Sequence, residues 1–266
     1  MNILTQRNKA IVADKKFVAD TMRFPAYERE AFSSEPRFIP ASNHSYHVNP
    51  QAVNSHRAVI MCAGDLMCEP RMSKAVSMGG KFFFEQCFAP VRPVLQSADF
   101  AIANLETMVD EDEPYAFELH HVDGRYHCNA PVAYLDALRY AGFDGVVQAN
   151  NHISDGGADG LVSTIQHLDE KGLLHTGAFA DEKQPRFMLV SVNGIKIAFL
   201  SYTEHVNANI DRKYFSDYGQ LVMINRYDKD KLSSDIHAAR AAGAEFIACY
   251  IHFRCKEYSH DVMNRG

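Results

Sequence analysis

Four short apolar segments of this chain each lead into side chains of the kind that bind hard divalent cations. Carboxylate, amide and imidazole groups favour Mn, Mg, Zn or Fe over metals that prefer thiolates. The segments and the polar residues that follow them are 57–63 with Asp65, 99–103 with Asn104 and Glu106, 145–149 with Asn150, Asn151 and His152, and 245–251 with His252. The recurrence predicts a metal site.

Buried parallel strands are expected to position these groups. Each apolar segment is short and rich in β-forming residues, and helix-length stretches separate the segments, which is typical of a parallel sheet. Ligand sites in such sheets lie just beyond the carboxyl ends of the strands. We therefore expect the four polar groups to gather at one edge of the sheet.

Each of these signals also has an ordinary structural explanation when it is taken alone. An aspartate that follows a glycine after a strand, as Asp65 does, is typical of a turn that caps a helix. Glu106 on its own is explained as a solvated carboxylate, and His252 as a hydrogen-bonded structural histidine. The pair Asn151 and His152 is more specific, because polar groups at a buried strand end need defined partners. The joint pattern favours the metal site.

The rest of the chain predicts an α/β sandwich of two sheets. Residues 1–56 are polar and are broken by four prolines, so we interpret them as an N-terminal arm. The α/β alternation then occupies residues 57–266. Asn193 and Gly194 lie between two apolar segments, which predicts a type I′ hairpin with antiparallel strands. A TIM barrel of regular βα units has no place for such a hairpin.

Helices are expected to cover the sheets. Apolar spacing predicts helices over residues 131–141, 158–171 and 231–242, each stopped by the glycine that follows, and an interrupted helix within 82–96. Asp155 and Asp159 stand where their side chains can cap the second of these helices.

The composition excludes several classes of partner and location. A net charge of -6 argues against nucleic-acid binding and against an anionic membrane surface. The six cysteines show no C-x-x-C spacing, and Cys62 and Cys249 are predicted to be small buried residues in a reducing compartment. Residues 1–23 show no continuous apolar stretch, so we expect no signal peptide, no membrane insertion and a cytoplasmic location.

Four stretches resemble the motifs of one protein family. They are Ala63-Gly64-Asp65-Leu66-Met67, residues 98–107 with Asn104-Leu105-Glu106-Thr107, residues 141–157 with Asn150-Asn151-His152 and Asp155-Gly156-Gly157, and residues 193–203 with Asn193-Gly194. These motifs resemble those of the CapA-type poly-γ-glutamate capsule-synthesis proteins, whose fold is similar to that of calcineurin-like metallophosphoesterases. The resemblance covers residues 57–258.

The resemblance implies a set of site residues. His152 is implied to be the catalytic residue that faces the substrate. Met67 stands where metallophosphoesterases place a histidine, so the first metal is expected to be held loosely. The resemblance implies two divalent metal ions. The residues implied to hold them are Asp65, Glu106, Asn151 and His252.

Neighbours of the implied ligands are expected to contact the substrate. The residues predicted to bind it are Asn104, Asn150, Glu204 and His205. His120, His121 and His127 lie in an acidic loop, where exposed polar residues are the ordinary explanation and a lid or substrate role is the alternative.

Two functions follow from the resemblance. The first is a divalent-metal-dependent phosphoesterase-type hydrolase, acting on a small anionic or polyglutamate-type substrate. The second is a non-catalytic accessory subunit that binds polyglutamate or its synthase for export. Family members continue past the strand that contains His252 into a His-rich motif. We therefore expect a C-terminally truncated domain, with an exposed sheet edge that favours self-association.

Overall fold

A computed structural model describes residues 57–112, 128–180, 183–207 and 223–253, together with the backbone of four short strands outside these ranges. The strands are β1 (Phe38–Ala41), β2 (Ser45–Val48), β3 (Ile60–Leu66), β4 (Ser77–Met78), β5 (Lys81–Phe82), β6 (Phe100–Leu105), β7 (His121–Val122), β8 (Arg125–Tyr126), β9 (Gly145–Val147), β10 (Leu174–Thr176), β11 (Met188–Val192), β12 (Ile195–Thr203) and β13 (Phe246–His252). The helices are α1 (Pro70–Val76), α2 (Glu85–Phe88), α3 (Arg92–Gln96), α4 (Ala133–Ala141), α5 (Gly157–Lys171) and α6 (Lys229–Ala241).

A four-stranded parallel sheet carries three of the four predicted site strands. Its order is β10-β9-β6-β3, and every neighbouring pair is parallel. Strand β6 lies between two neighbours and is buried along its whole length, as expected for a strand covered on both faces. The carboxyl ends of β3, β6 and β9 therefore lie side by side.

A second, five-stranded sheet contains the predicted hairpin. Its order is β1-β2-β11-β12-β13. Strands β11 and β12 are antiparallel, with Val190 opposite Ile197, and the turn between them has positive φ at both Asn193 and Gly194. Both residues of a type I′ turn need positive φ, so the hairpin prediction is confirmed. Strands β1 and β2 belong to the segment predicted as an N-terminal arm, and β2 pairs in parallel with β11.

The fourth predicted site strand lies in the second sheet. Strand β13 pairs in parallel with β12 and not with β3, β6 or β9, so the expectation of one common sheet edge is wrong. The hydrophobic pattern identifies a strand, but it carries no information on which sheet the strand joins. His252 still reaches the other site residues, because both sheets present the carboxyl ends of these strands at the same end of the sandwich.

The two sheets pack face to face. Phe100 and Ile102 of the first sheet and Val190 and Phe199 of the second share one buried apolar cluster. The rings of Phe100 and Phe199 stack with 5.1 Å between their centroids. Tyr250 adds a polar link, since its hydroxyl donates to the carbonyl oxygen of Ile102 at 3.2 Å. The prediction of a two-sheet α/β sandwich is confirmed.

Helices cover the outer faces of both sheets. Helix α4 packs on the outer face of the first sheet through Leu135 and Leu138, and α6 packs on the second through Ala239. The predicted helix stop at Gly142 is confirmed, because this residue adopts φ 106°. A side chain there would also meet Gln96, whose Cγ lies 2.9 Å from the position of an added Cβ.

The predicted burial of Cys62 and Cys249 is wrong. Cys62 and Cys249 are exposed, because β3 and β13 stand at the ends of the two strand orders. The helix expected within 82–96 is interrupted as predicted, since α2 and α3 are two short helices with Pro90 between them. In the part of the chain that the structure describes, none of the helices has the length and apolar character needed to cross a membrane.

Candidate metal and acid-base site

Three predicted metal ligands converge at one end of the sandwich. Asp65 lies near the end of β3, Glu106 follows β6 and His252 ends β13. One potential ligand atom from each side chain lies within 4.8 Å of the others. His252 Nε2 is 3.6 Å from Glu106 Oε1, although the two residues come from different sheets. Asp65 is exposed and Glu106 is buried, so the group opens to solvent on the Asp65 side.

Two hydrogen-bonded amide side chains, Asn104 and Asn150, support the carboxylate of Asp65. Asn104 Nδ2 donates to Asp65 Oδ1 at 2.8 Å, and Asn150 Nδ2 donates to Asn104 Oδ1 at 2.9 Å. A register shift between Cys62 and Asp65 in the β3–β6 ladder places Asp65 directly opposite Asn104. Both amides are buried and support a carboxylate; the substrate contacts predicted for them stay a prediction.

Asn151 faces His252 across the gap between the sheets. The distance from Asn151 Oδ1 to His252 Nε2 is 2.8 Å. In the neutral imidazole, Nε2–H donates to the amide oxygen. When His252 Nε2 carries no proton, this nitrogen and Asn151 Oδ1 can both donate an electron pair to a cation. Asn151, the fourth predicted ligand, therefore also points toward Asp65, Glu106 and His252.

His152 forms a buried ion pair with Asp155. His152 Nδ1 lies 2.7 Å from Asp155 Oδ2, and the same oxygen accepts from the backbone N–H of Cys128 at 2.7 Å. Burial opposes the imidazolium charge, but the hydrogen bonds and charge interactions with Asp155 and Cys128 together outweigh it and raise the pKa of His152 to about 10. His152 is therefore a cation at neutral pH. Its backbone N–H donates to Asn150 Oδ1, which fixes its position beside the metal ligands.

The helix-cap role predicted for Asp155 is wrong. The residue at the start of α5 is Gly156, and no side chain caps the helix. Asp155 is fully buried, and its carboxylate oxygens accept hydrogen bonds from His152, Cys128 and Asn207. The sequence signal for the ion pair was the spacing of three residues between His152 and Asp155, because two side chains at this spacing can lie on the same side of a turn.

Asn207 is a site residue that sequence reasoning missed. It follows β12 in a loop, and its side chain contacts both Asn151 and Asp155. No apolar period or family motif marks this position, so the sequence gives no signal for it.

The electrostatics of the carboxylates fit a divalent cation. Burial, followed by the charge of Asp65, raises the pKa of Glu106 to about 7. Burial lowers the pKa of His252, so this ring is neutral at pH 7, as a metal ligand must be. Two adjacent carboxylates without a cation repel each other, and a bound divalent ion reverses that cost. Carboxylate, amide oxygen and imidazole are also the donor types that such ions accept.

Glu204 and His205 border this group. The backbone N–H of Glu204 donates to the carbonyl oxygen of His252 at 3.0 Å. Thr203 Oγ1 donates to the carbonyl oxygen of His205, which holds the loop in place. His205 is close enough for its charge to contribute to the lowered pKa of His252. Substrate binding by these two side chains stays a prediction.

A second set of ligand-type side chains surrounds the ion pair. Cys128, His152 and Asp155 are all buried, and one potential ligand atom of each lies within 4.8 Å of the others. His120 and His127 lie outside the described residues, and only the backbone of His121 is described.

Comparison with known proteins places the chain among capsule-synthesis proteins. It is 27% identical over 151 residues to the capsule biosynthesis protein CapA of Bacillus anthracis and 26% identical over 144 residues to the PGA biosynthesis protein CapA of Bacillus subtilis (strain 168). The alignments cover 56% and 53% of this chain and 36% of each relative. The chain thus matches about a third of the length of these relatives.

A solved structure and a family description complete the comparison. The Haemophilus influenzae NAD nucleotidase (NadN) superposes with a TM-score of 0.41 at 14% identity, over 73% of this chain and 34% of that one. The family described as "Bacterial capsule synthesis protein PGA_cap" matches residues 59–265, which include all the site residues above. The chain belongs to this family of bacterial capsule synthesis proteins.

Proposed function

We propose that this chain is a divalent-metal-dependent hydrolase of the phosphoesterase type that acts in capsule synthesis. The observation that carries the proposal is the convergence of Asp65, Glu106 and His252 from two sheets beside the ion pair of His152 and Asp155. The role in capsule synthesis is supported by the family and by relatives named for capsule and PGA biosynthesis. The proposed substrate is a small anionic or polyglutamate-type molecule.

Four side chains would hold the metal, namely Asp65, Glu106, Asn151 and His252. When bound, a divalent ion polarises the oxygen of the scissile group and makes a water molecule more acidic. The two carboxylates give the site the negative charge that retains the ion. Two ions are proposed for the site, drawn from Mn, Mg, Zn and Fe.

His152 would act on the transferring group. As an imidazolium it donates through both ring nitrogens, and Nδ1 is committed to Asp155. The proton given to a leaving oxygen is therefore the one on Nε2. Asp155 balances the charge on the ring and fixes its orientation, so the ring needs little reorganisation when negative charge develops on the substrate.

The alternative proposal is a non-catalytic accessory subunit that binds polyglutamate or its synthase. The names of the Bacillus relatives, which describe biosynthesis, favour it. This reading predicts binding of polyglutamate that survives EDTA and the Glu106→Ala change, because the metal ligands would have no part in it.

Metal titration and turnover decide between the two proposals. Purified protein is titrated with Mn²⁺ by calorimetry and assayed on a generic phosphoester with and without EDTA. The hydrolase predicts Mn²⁺ binding and turnover that Glu106→Gln abolishes. His167→Asn is the matched control, because this histidine pairs with Glu170 on the surface of α5. Absence of binding and of turnover in every divalent ion would overturn the hydrolase.

A further inference from the structure

Asn207 touches the two halves of the candidate site at once. Its Oδ1 accepts from Asn151 Nδ2 at 3.1 Å, and its Nδ2 donates to Asp155 Oδ1 at 3.1 Å. The first contact reaches a proposed metal ligand and the second reaches the partner of His152. The same Nδ2 also lies 3.4 Å from His152 Nδ1.

The carboxylate of Asp155 fixes which way the Asn207 amide faces. An ionised carboxylate only accepts hydrogen bonds, so the side of Asn207 that faces Asp155 must be its NH₂ group. The oxygen of Asn207 then faces Asn151. The assignment of oxygen and nitrogen in Asn207 therefore follows from chemistry, whereas an isolated amide could be turned either way.

The orientation of Asn207 in turn fixes the orientation of Asn151. Because an amide oxygen only accepts, Asn151 must present its NH₂ group to Asn207. The oxygen of Asn151 is then directed to His252 Nε2, 2.8 Å away, where the metal ligands meet. If Asn151 turned over, its NH₂ group would face the cation and the ligand would be lost.

We propose that Asn207 is a positioning residue. Asp155 fixes the orientation of the Asn207 amide, and Asn207 fixes the orientation of the Asn151 amide, so that the oxygen of Asn151 points to the metal. This inference rests on the proposed function, since it concerns a ligand of the proposed metal. Asn207 contacts the metal ligand and the ion pair but is not itself part of either.

The side chain performs this task separately from the backbone of Asn207. The backbone N–H of Asn207 donates to the carbonyl oxygen of Asn151 at 3.0 Å and ties the loop to the site. Thr203 Oγ1 gives the loop a second tie through the carbonyl oxygen of His205. Both ties remain when the side chain of Asn207 is shortened, so a substitution tests the amide and leaves the loop anchored.

Two substitutions of Asn207 separate its two contacts. Asn207→Ala removes both and leaves Asn151 able to turn over. Asn207→Asp keeps an acceptor for Asn151 but places a second carboxylate against Asp155. We expect Asn207→Ala to weaken Mn²⁺ binding by about 10-fold or more, as changes next to metal ligands do. We expect Asn207→Asp to bind Mn²⁺ like the unchanged protein while its turnover falls.

The control is Asn225, a buried asparagine on a neighbouring segment. Asn225 Nδ2 donates to the carbonyl oxygen of Arg186, which is not one of the site residues. Asn225→Ala therefore removes the same amide group, from a site that is more deeply buried than Asn207. Its Mn²⁺ affinity should match that of the unchanged protein.

The experiment is Mn²⁺ titration calorimetry of the full chain and the three variants, with NMR of the Asn151 side-chain amide in EDTA. In this metal-free measurement, we expect the Asn151 NH₂ protons to exchange slowly with water in the unchanged protein and in Asn207→Asp. We expect them to exchange fast in Asn207→Ala. Equal Mn²⁺ affinity of Asn207→Ala and the unchanged protein, or equal loss in Asn207→Ala and Asn207→Asp, overturns the inference. An unchanged protein that binds no Mn²⁺ instead overturns the proposed function, and the NMR result still decides whether Asn207 orients Asn151.

Discussion

His252 Nε2 lies 3.6 Å from Glu106 Oε1, although His252 ends a strand of one sheet and Glu106 follows a strand of the other. A metal held between them would join the two sheets at their carboxyl ends. The site is therefore a property of the packed sandwich and not of either sheet alone.

Asn151 and His152 are neighbours with different expected roles. Asn151→Ala should lower Mn²⁺ occupancy, because it removes an oxygen directed at the ligand group. His152→Ala should leave occupancy largely intact and lower turnover by about 10²-fold or more, as loss of a group that stabilises developing charge does. Metal analysis and steady-state kinetics on both variants test this. Equal effects on metal content would show that the roles are assigned wrongly.

Glu106 should make the metal-free protein sensitive to pH. Burial and the nearby charge of Asp65 raise the pKa of Glu106 from 4.5 to about 7, so the folded chain holds this proton more tightly than the unfolded chain does. The resulting stability is complete below pH 4.5 and is lost as the pH rises through about 7. In EDTA, the Tm of Glu106→Gln should fall less over this range than the Tm of the unchanged protein. Parallel curves for the two proteins would contradict the assignment.

The stacked pair Phe100 and Phe199 should account for much of the contact between the sheets. Phe199 is completely buried, and Phe199→Ala should lower the free energy of unfolding by about 3–5 kcal/mol. Phe246→Ala in the adjacent strand is the matched control, because 62% of Phe246 is exposed. Its effect should stay within about 0.5 kcal/mol. Urea unfolding measures both, and similar losses would argue against the sandwich core.

The edge of β13 should promote self-association. This strand ends the five-stranded order, and among the described residues no strand pairs with its outer edge. Unpaired strand edges recruit other chains, and a charge on the edge opposes this. Phe246→Lys should therefore shift the protein toward monomer in size-exclusion chromatography with light scattering. Met78→Lys, at another exposed apolar position, should not. A monodisperse monomer before any substitution would contradict the prediction.

The sequence could predict local features and three side chains that lie close together, Asp65, Glu106 and His252, but not every long-range relationship. The hairpin at Asn193-Gly194 follows from turn chemistry between adjacent residues, and the structure agrees. The placement of β13 depends on pairing with β12, which the apolar pattern of either strand does not specify. Asp155 was misread because an aspartate before a helix is usually a cap. Asn207 carries no pattern, since a loop amide acquires its role only from the residues packed around it.

Anomalous diffraction from crystals grown with Mn²⁺ can show whether Asp65, Glu106, Asn151 and His252 together hold a divalent metal ion. We expect a strong Mn anomalous peak in contact with these side chains, and its loss in crystals of Glu106→Gln. Crystals that contain Mn²⁺ but show no peak among these residues, or an undiminished peak in Glu106→Gln, would contradict it.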